Sequence, residues 1–420
     1  MHERAKRVVI LGGGFAGLVA AHVLLKSAVS DQVEITIIDR SAEHVYTPWL
    51  YETSSVSFSP RTKNAERKEM LAASAFPFAH LPTYERIRFR KGEVSGVHTE
   101  QTSVVLADGL SVKYDILVVA LGAEVNYFGI PGLPKFCIPL KTLKDARDID
   151  ATLRNLVKVP SKRARTVNVI GGGPAGVEVA AEIVSALRRL EGDGQIPEGT
   201  IKIQLMDREK ILGMFDPRVR KAALKRFRKI GVEVLEGTSV LEAKKDHLMV
   251  KSESLGDHRL PSDLCIWSGG VKPSEAVRVT PFQKEPRGRI IIDRTFQTPG
   301  YPSVFAAGDC AAMLIGKEVK PDPQSAEVAV AQAKVLAGNI VRFINGEKLQ
   351  AFPVYKRWDV LVALGAKYAA GNVWGFFVRG RVAYTLKLFS DLRYFLLILP
   401  PRLAFRKWRK AVILYEKNDL

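Results

Sequence analysis

One pattern occurs twice in this chain, and the repetition constrains its fold more than any other feature of the sequence. In the first copy, a short apolar run at residues 7–11 leads into the glycine cluster GGGFAG at residues 12–17. A helix-like segment follows, and a second apolar run at residues 33–38 ends at Asp39. Strand, G-x-G-x-x-G, helix, strand and acidic residue in this order are the fingerprint of a dinucleotide-binding unit.

Each glycine of this fingerprint has a mechanical role. Gly12 permits the tight turn, Gly14 lets the backbone approach a pyrophosphate, and Gly17 lets the helix pack closely on the strand. The N terminus of the helix directs free N–H groups and the positive end of its dipole at the phosphates. Asp39 stands where it would accept hydrogen bonds from a ribose.

The second copy has the same parts in the same order. An apolar run at residues 167–170 precedes GGGPAG at 171–176, a helix is predicted through residues 177–190, and a strand at 201–206 ends at Asp207. The glycines that correspond to those of the first copy are Gly171, Gly173 and Gly176. Two complete fingerprints in one chain indicate two bound dinucleotides.

The composition is that of a globular protein with a basic surface. With 420 residues, 47% of them apolar and 25% charged, the chain is long enough for two or three domains, and disorder does not explain its polar stretches. Its 63 Lys and Arg against 44 Asp and Glu give a net charge of +19, so we expect an anionic partner: nucleic acid, acidic lipid or phosphate-bearing cofactors. No signal peptide and no transmembrane run are expected.

The cysteine pattern gives no sign of a redox or metal centre. Cys137, Cys265 and Cys310 are far apart in the sequence and form no C-x-x-C pair. This spacing argues against a dithiol centre, a zinc site and a disulfide framework. Each cysteine is therefore predicted to be a small buried apolar residue, and no metal site is expected.

Apolar strands that end in glycine mark a second kind of repeated feature. Residues 114–123 pass through a strand to Gly122, and residues 264–273 do the same in the second half. Such an ending suits a backbone that lies against a flat cofactor. A third strand runs into Gly308-Asp309, whose carboxylate would then sit at a strand end and meet a polyol hydroxyl.

Three helices are predicted between and after the fingerprints. One opens with PLKTLKDA at residues 139–146, a basic amphipathic helix covers residues 217–230, and a helix with small side chains on one face covers residues 325–340. A solvated surface explains the basic helix, whereas the small side chains permit a neighbour or flat ligand to approach closely.

The carboxyl-terminal segment combines apolar stripes with positive charge. From residue 381 to residue 420 there are nine Lys or Arg and three Asp or Glu, a net of +6. The pattern suits helices that lie in an anionic membrane surface, and a terminal helix pair docked on the body or on another subunit is the alternative. The stripes, separated by Pro400-Pro401, are Leu388, Leu392, Leu396 and Leu399, and then Phe405, Trp408, Val412 and Tyr415.

These motifs resemble those of the two-dinucleotide-binding-domain flavoproteins. The shared motifs are the paired GGGFAG and GGGPAGVE, the strand ends VVALGA and IWSGGVKP, and VFAAGDCA. Within that group, residues 44–51, PLKTLKDA and residues 326–337 are similar to type II NADH dehydrogenases, the single-subunit NADH:quinone oxidoreductases. The resemblance covers nearly the whole chain.

The resemblance implies an FAD site in the first unit and an NADH site in the second. Asp39 would bind the adenosine ribose of FAD, and Asp309 its ribityl or phosphate region. Asp207 would serve NADH and repel the 2′-phosphate of NADPH, although the adjacent Arg208 acts in the opposite sense. The implied cofactor-binding residues are Gly12, Gly14, Gly17, Asp39, Gly122, Gly308 and Asp309 for FAD, and Gly171, Gly173, Gly176 and Asp207 for NADH.

The resemblance also implies three catalytic candidates. Glu178 would lie near the nicotinamide side. The family's quinone-site motif, A-Q-x-A-x-Q, appears here within residues 326–332, with Glu327 in place of the first Gln and with Gln332 as the other candidate. Glu327 would shuttle a proton to a reduced quinone or be a surface carboxylate. The flavin carries the redox chemistry, so no general-base dyad is expected.

The predicted fold class is α/β, with two Rossmann-like dinucleotide-binding domains and an amphipathic helical membrane-association segment at the carboxyl end. Because Asp309 must reach back to the first nucleotide, the second domain is predicted to be inserted in the first. The boundaries are residues 1–140 and 285–355 for the FAD-binding domain, 141–284 for the NADH-binding domain and 356–420 for the segment.

The predicted function is that of a peripheral membrane flavoenzyme of a respiratory chain. It would pass hydride from NADH to FAD and two electrons to a membrane quinone without pumping protons, at the cytoplasmic face of the cell membrane. Residues 381–420 would contact anionic lipid, and a homodimer is the candidate assembly.

Other functions remain as alternatives to this prediction. A sulfide:quinone oxidoreductase would need a redox cysteine pair, and a soluble ferredoxin reductase would have no use for the terminal segment. A basic nucleic-acid-binding flavoprotein resembling apoptosis-inducing factor is the alternative of another class. No nucleic acid is expected here, because the positive charge of residues 381–420 lies beside apolar stripes.

Overall fold

The computed structural model describes residues 4–416, with gaps at 56–63, 82–83, 160, 162, 316–317, 321–322 and 355–357. Residues 417–420 of the predicted membrane segment therefore lie outside the described residues. In chain order, the helices are α1 (Phe15–Leu25), α2 (Leu50–Thr53), α3 (Asn64–Ala72), α4 (Leu133–Phe136), α5 (Leu143–Lys158), α6 (Pro174–Gly192), α7 (Pro217–Ile230), α8 (Glu275–Arg278), α9 (Ala326–Ile344), α10 (Arg381–Ile398) and α11 (Pro401–Glu416).

The strands divide between two large sheets and several small ones. In chain order they are β1 (Lys6–Leu11), β2 (Val33–Asp39), β3 (Glu43–Val45), β4 (Ala75–Pro77), β5 (Ile87–Lys91), β6 (Val94–His98), β7 (Ser103–Leu106), β8 (Ser111–Lys113), β9 (Ile116–Val119), β10 (Ala123–Val125), β11 (Cys137–Pro139), β12 (Arg165–Ile170), β13 (Ile201–Met206), β14 (Val232–Leu235), β15 (Thr238–Ala243), β16 (His247–Ser252), β17 (Gly256–Pro261), β18 (Leu264–Trp267), β19 (Val271–Pro273), β20 (Ile290–Ile292), β21 (Gln297–Thr298), β22 (Tyr301–Ala306), β23 (Ala311–Ile315), β24 (Glu318–Lys320), β25 (Val360–Ala363), β26 (Ala369–Val373) and β27 (Phe376–Gly380).

The first large sheet has the strand order β21-β22-β9-β1-β2-β5. Strands β22, β9, β1, β2 and β5 run parallel, so their carboxyl ends share one edge. Strand β9 and residues 8–11 of the neighbouring β1 are apolar and buried, because central strands of a parallel sheet are usually covered on both faces. The glycine turn after β1 and the Gly308 turn after β22 consequently lie at the same edge.

The second large sheet has the order β11-β18-β12-β13-β14 and is parallel throughout. Its helices begin where local chemistry predicts. Thr142 forms a capping box with Asp145 at the start of α5. Asp216 caps α7, which has Pro217 at its first position and a left-handed Gly231 after its end. The predicted basic helix at residues 217–230 is confirmed.

The chain builds the second sheet between two visits to the first. After β9 it crosses through β10, forms the second sheet, and returns through β19 before it adds β21 and β22. Strands β10 and β19 pair antiparallel, with Ala123 opposite Pro273, so the two crossings run side by side. The predicted α/β class is confirmed.

The carboxyl-terminal part begins with a three-stranded antiparallel sheet, β25-β26-β27. Helix α10 follows β27 directly and ends at Ile398, and α11 starts at Pro401. The predicted break at Pro400-Pro401 is thus confirmed, since the ring of a proline cannot continue the preceding helix. Among the described residues, no helix has both the length and the apolar character that crossing a bilayer requires.

The predicted role of two cysteines is wrong. Cys137 of β11 and Cys265 of β18 stand directly opposite each other on adjacent parallel strands and form a disulfide. Both are buried, as predicted, but as a covalent pair. Sequence spacing could not show this pair, because strands 128 residues apart become neighbours only in the sheet. Cys310 is a free buried thiol, as predicted, and burial raises its pKa to about 11.

We expect this disulfide to stabilise the second unit. It closes a loop of 128 residues, and cross-links of that span typically contribute roughly 3–5 kcal/mol by restricting the unfolded chain. Reduction should therefore lower the denaturant midpoint of the wild-type chain, measured with and without a thiol reductant. A Cys137→Ala/Cys265→Ala variant serves as the control, because reductant should not change its midpoint. An unchanged wild-type midpoint after complete reduction would contradict the expectation.

Candidate functional site

The first glycine turn, between β1 and α1, has the geometry of a phosphate cradle. Gly12 has φ +101°, and a Cβ there would lie 2.3 Å from the carbonyl oxygen of Ala120. A Cβ on Gly17 would lie 1.9 Å from the Gly12 oxygen, so helix and turn touch at backbone distance. Gly14 is the N-cap of α1, and a Cβ there would meet no atom of the described residues within 4 Å. The turn is closed on the protein side and open where a pyrophosphate would approach.

The second turn, between β12 and α6, repeats this geometry. Gly171 has φ +114°, and a Cβ there would lie 2.6 Å from the backbone of Ser268. A Cβ on Gly176 would again lie 1.9 Å from the oxygen of the first glycine of the turn. Gly173 is the N-cap of α6 and faces open space. Both turns therefore fit a dinucleotide pyrophosphate by the same criteria.

The acidic residues at the end of β2 and directly after β13 stabilise these turns. Asp39 accepts hydrogen bonds from the backbone N–H of Gly13 at 2.7 Å and of Ser41 at 2.7 Å. Asp207 accepts from the N–H of Gly172 at 2.6 Å and of Glu209 at 2.7 Å. Both carboxylates are half-buried beside their turns. Asp39 and Asp207 therefore each stabilise a turn, in addition to the predicted contact with a ribose.

The Gly308 turn joins the first cradle at the same sheet edge. Gly308 has φ +76°, and a Cβ there would lie 3.3 Å from the Cβ of Ala16 in α1. Asp309 lies 3.9 Å from the ammonium of Lys141, and burial raises its pKa despite that positive charge. Gly122 follows β9 with φ +66° and open space at its Cβ position. The structure thus brings the predicted residues of the first site together.

Gln332 supports this turn from behind. Its side-chain oxygen accepts a hydrogen bond of 2.8 Å from the N–H of Gly308, and the side chain is buried in α9. It is the seventh residue counted from Ala326, so Ala331 occupies the position of the second Gln in the six-residue motif. The geometry gives Gln332 a positioning role for the Gly308 turn.

Glu178 lies at the contact between the second unit and the carboxyl-terminal part. Its carboxylate is 3.0 Å from the ammonium of Lys387 on α10 and accepts a hydrogen bond of 3.1 Å from the N–H of Ala363. Burial opposes the charge of Lys387, but Glu178, Asp391 and Glu52 outweigh it and raise the pKa of this lysine. Lys387 therefore keeps its proton in a largely buried position.

Asp391, one turn further along α10, is buried among aromatic residues. It accepts hydrogen bonds from the hydroxyl of Tyr46 at 2.7 Å and from the indole N–H of Trp49 at 3.0 Å. Burial raises the pKa of Asp391, although Lys387 acts to lower it. A small cavity of about 10 Å³, room for one water molecule, lies beside this group and is lined by Tyr51, Glu52, Lys387 and Asp391, among others.

His44 connects the same helix to the first glycine turn. Its Nδ1 lies 3.0 Å from the Gly13 carbonyl oxygen, and the hydroxyl of Tyr394 lies 2.8 Å from its Nε2. Full burial lowers the pKa of His44 to about 4. A neutral ring that donates from Nδ1 to Gly13 and accepts at Nε2 from Tyr394 satisfies both contacts.

The three catalytic candidates do not form one cluster. Glu327, in the first turn of α9, forms an ion pair with Arg393 of α10, and both side chains are exposed. Arg393 and Lys387 are six residues apart, about 9 Å along a helix axis, so Glu327 and Glu178 meet α10 at separate points. Gln332 is occupied at the Gly308 turn.

Helix α10 carries a stripe of polar side chains on its inner face, and three apolar side chains are exposed on its outer face together with Arg393. Tyr384, Lys387, Asp391 and Tyr394, at spacings of three and four residues, point toward the protein. The opposite face carries exposed apolar side chains, the inverse of an ordinary surface helix. These are Val382, Phe389 and Leu396, which are 65%, 54% and 44% exposed.

The inward polar stripe was missed from sequence. Lys387 and Asp391 have opposite charges and are four residues apart in a helix, and this spacing was the available signal. The sequence prediction used the leucine stripe of the same segment instead. The members of that stripe do not share one environment, because Leu399 is buried and Leu396 is exposed. The partners Tyr46 and Trp49 belong to the aromatic segment near residue 46, whose packing against α10 no local pattern indicates.

Comparison with known proteins identifies the family to which this architecture belongs. The family model described as Pyridine nucleotide-disulphide oxidoreductase matches residues 6–333. The chain belongs to this family. A curated relative from Staphylococcus saprophyticus, named Type II NADH:quinone oxidoreductase, is 27% identical over 414 residues, and the match covers 97% of this chain and 99% of the relative. The predicted resemblance to type II NADH dehydrogenases is confirmed.

Two solved structures show how far the likeness of fold extends. NDH2 from Plasmodium falciparum, solved in complex with NADH, superposes with a TM-score of 0.80 at 18% identity and covers 99% of this chain and 98% of its own. The sulfide:quinone oxidoreductase of Aquifex aeolicus superposes with a TM-score of 0.76 at 18% identity, covering 93% of this chain and 91% of its own. At these identities the likeness concerns the fold alone.

The disulfide between Cys137 and Cys265 belongs to the second unit and not to the first cradle. Cys137 and Cys265 pack in one cluster with Leu133, Met206 and Leu248, all of the second unit and its attached strands. Cys310 lies in the Gly308 turn with its thiol buried. The observed cysteine pair thus gives no support to the sulfide:quinone alternative.

The two cradles predict a reciprocal result from one substitution. Gly14→Val should fold normally, because its extended backbone and open surroundings accept a side chain, but it should lose the FAD absorbance of the purified protein. Gly173→Val, the matched variant, should keep that absorbance and weaken NADH binding by at least about tenfold. Absorbance at the flavin band and NADH titration measure the two effects, and loss of flavin from Gly173→Val would contradict the assignment.

His44 predicts a pH dependence of stability. Its pKa is 6.5 when exposed and about 4 in the fold, so the unfolded chain binds a proton that the folded chain refuses between these values. Its contribution is complete above pH 6.5, and roughly 3 kcal/mol is lost as the pH falls to 4. A His44→Gln variant can make both hydrogen bonds without titrating, so it should show a flatter profile. His22 is present in both proteins, so their difference in unfolding free energy isolates His44.

Proposed function

We propose that this chain is an FAD-dependent NADH:quinone oxidoreductase that works at a membrane surface without pumping protons. The observation that carries the proposal is helix α10, which presents buried Lys387 and Asp391 to the protein and apolar side chains to the outside. The name of the Staphylococcus saprophyticus relative supports the reaction, and the two glycine cradles support the two nucleotides.

The proposed FAD domain comprises residues 1–140 and 285–355. The Gly12 turn, Gly122 and the Gly308 turn share one sheet edge, as a cofactor that spans them requires. Asp39 would hold the ribose, and Asp309, kept beside Lys141, would hold the ribityl or phosphate region. When bound, FAD supplies the chemistry: it takes hydride from NADH and gives two electrons to the acceptor.

The proposed NADH domain comprises residues 141–284. Its Gly171 turn offers the same open cradle, and Asp207 is the group that would meet the ribose hydroxyls. A carboxylate there disfavours a 2′-phosphate, which supports NADH over NADPH. Arg208, which is exposed and next to Glu209, is the one cation adjacent to that carboxylate in sequence.

The protein's own contribution to the reaction is orientation and proton supply. Reduction of a quinone by two electrons consumes two protons: the hydride of NADH accounts for one, and the other must be taken up through the protein from solvent. Lys387 holds a proton for this transfer because Glu178, Asp391 and Glu52 raise its pKa. We assign Lys387 as the proton donor, and Glu178 and Asp391 as the groups that orient it and return a proton to it. Glu327 is an outer carboxylate that forms an ion pair with Arg393.

The proposed membrane-association segment is residues 356–420. The exposed apolar face of α10 would lie in the lipid interface at the cytoplasmic face, where a lipophilic quinone can reach the inward polar stripe. Exposed Arg402, Arg406 and Arg409 of α11 suit anionic headgroups. A homodimer stays part of the proposal as its candidate assembly.

Anaerobic stopped-flow mixing tests the reaction. NADH should bleach the flavin of the wild-type enzyme, and a short-chain quinone added next should restore it promptly. In Lys387→Met, bleaching should be unchanged and restoration slowed by roughly a hundredfold, the low end for loss of a general acid. Arg381→Met, which removes an exposed charge from the same helix, is the matched control.

Loss of Lys387 also leaves two buried carboxylates without their cation. A Glu178→Gln/Lys387→Met variant keeps the local charge closer to balance and should restore thermal stability but not quinone reactivity. A wild-type flavin that stays reduced after quinone addition would refute the proposed acceptor. Equal reoxidation rates in wild type and both Lys387 variants would refute the role of the lysine.

A further inference from the structure

The hairpin that precedes α10 carries large aromatic side chains at its tip. Strands β26 and β27 are joined by Trp374-Gly375, and Val373 pairs with Phe376 on either side of this two-residue turn. Trp374 is 84% exposed and Phe376 is 74% exposed, whereas the next residue, Phe377, is half-buried. The tip therefore presents two aromatic rings that bury little against the chain.

The backbone at this tip is one that tryptophan seldom adopts. Trp374 has φ +50° and Gly375 has φ +80°, the left-handed pair required by the hairpin turn that best matches strand twist. Asn, Asp and Gly are the residues that adopt this conformation readily, and a bulky side chain is strained there. The fold thus holds an unfavourable residue at a position where it gains no burial. An external partner that buries the ring would account for it.

The tip is held rigidly against the rest of the molecule. The N–H of Trp374 donates a hydrogen bond of 2.8 Å to Asp359, just before β25. Asn372, two residues before Trp374 on β26, donates a side-chain hydrogen bond of 3.3 Å to Asp216. The guanidinium of Arg218 lies 5.4 Å from the ring centre of Phe377 on β27. Rings on a fixed support lose little conformational freedom when they bind.

The surroundings favour a lipid interface as the partner. Phe376 is six residues before Val382, the first member of the exposed apolar face of α10, so the two features are continuous along the chain. Exposed Arg379 and Arg381 lie between them in the sequence. Asp359, which accepts the hydrogen bond from the Trp374 N–H, is the acidic residue in direct contact with the tip. Aromatic rings flanked by arginine suit the headgroup level of an anionic bilayer.

We propose that the β26–β27 tip is a second membrane anchor, which inserts Trp374 and Phe376 into the headgroup region beside helix α10. This inference rests on the proposed membrane function and adds a contact outside the helical segment. A tip and a helix face together fix the tilt of the protein on the surface, which a single helix face leaves free to vary. The inward polar stripe of α10 would then keep one orientation toward the lipid.

The test is partitioning of full-length holoenzyme onto vesicles of equal parts phosphatidylglycerol and phosphatidylcholine. A Trp374→Asn/Phe376→Thr variant removes both rings and places asparagine in a backbone that suits it, so its thermal stability should be maintained or increased. We expect its partition coefficient to fall by about tenfold or more, the factor for losing burial of two large side chains. Turnover with a short-chain quinone in solution should be unchanged.

Two matched variants separate this inference from the proposed function. Leu255→Asn removes a 73% exposed apolar residue between β16 and β17 and should leave partitioning unchanged. A Val382→Ser/Phe389→Ser/Leu396→Ser variant tests the face of α10. If this triple variant releases the protein while the tip variant binds like wild type, the membrane function stands and the anchor is refuted.

The remaining outcomes are also decisive. A wild-type enzyme that reoxidises with quinone but does not bind vesicles would refute the anchor and the membrane location together, and leave the reaction intact. A wild-type dimer that the tip variant converts to a monomer, with vesicle binding unchanged, would assign the rings to a second copy of the chain and overturn the inference.

Discussion

The buried charge of Lys387 is the interaction on which the arrangement of the site depends. It lies between Glu178 of α6 and Asp391 of its own helix, so it joins the second nucleotide unit to the carboxyl-terminal part. Removing one partner of a buried ion pair typically costs about 3–5 kcal/mol, because the other charge stays in a poorly solvated position. The contact therefore fixes where α10 rests and, with it, which residues face inward.

The same helix links that charge to the first cradle. Tyr46 and Trp49 hold Asp391, and Tyr394 reaches His44, whose other nitrogen contacts the carbonyl of Gly13. One set of hydrogen bonds thus joins Tyr394 of α10 to the glycine turn through His44, and a separate set holds Asp391 of the same helix. The rings of Tyr46 and Tyr394 stack between the two sets. Because buried polar groups are costly to leave unpaired, loss of one member of either set would leave its partner without a hydrogen bond. Both sets hold α10 against the aromatic segment that follows the first cradle.

The parts of the fold that sequence predicted are those fixed by local patterns and by topology. The glycine turns, the ends of β9 and β22, helix α7 and the break at Pro400-Pro401 each depend on residues close in sequence. The disulfide was mispredicted because only the sheet makes Cys137 a neighbour of Cys265. The polar stripe of α10 escaped notice for a related reason. Its partners Tyr46 and Trp49 precede it by more than 340 residues, and their side chains are apolar enough to pass for core.

The disulfide between β11 and β18 has a topological consequence for the inserted unit. Cys137 is at its first strand and Cys265 at its last parallel strand, so the bond turns everything between them into a covalent ring. A protease that cuts one exposed turn inside this ring, such as residues 193–194, would nick the chain without releasing a fragment. The segments that lead into and out of the ring would still be paired through β10 and β19. Chain continuity and structural continuity are thus separable properties in this half of the molecule.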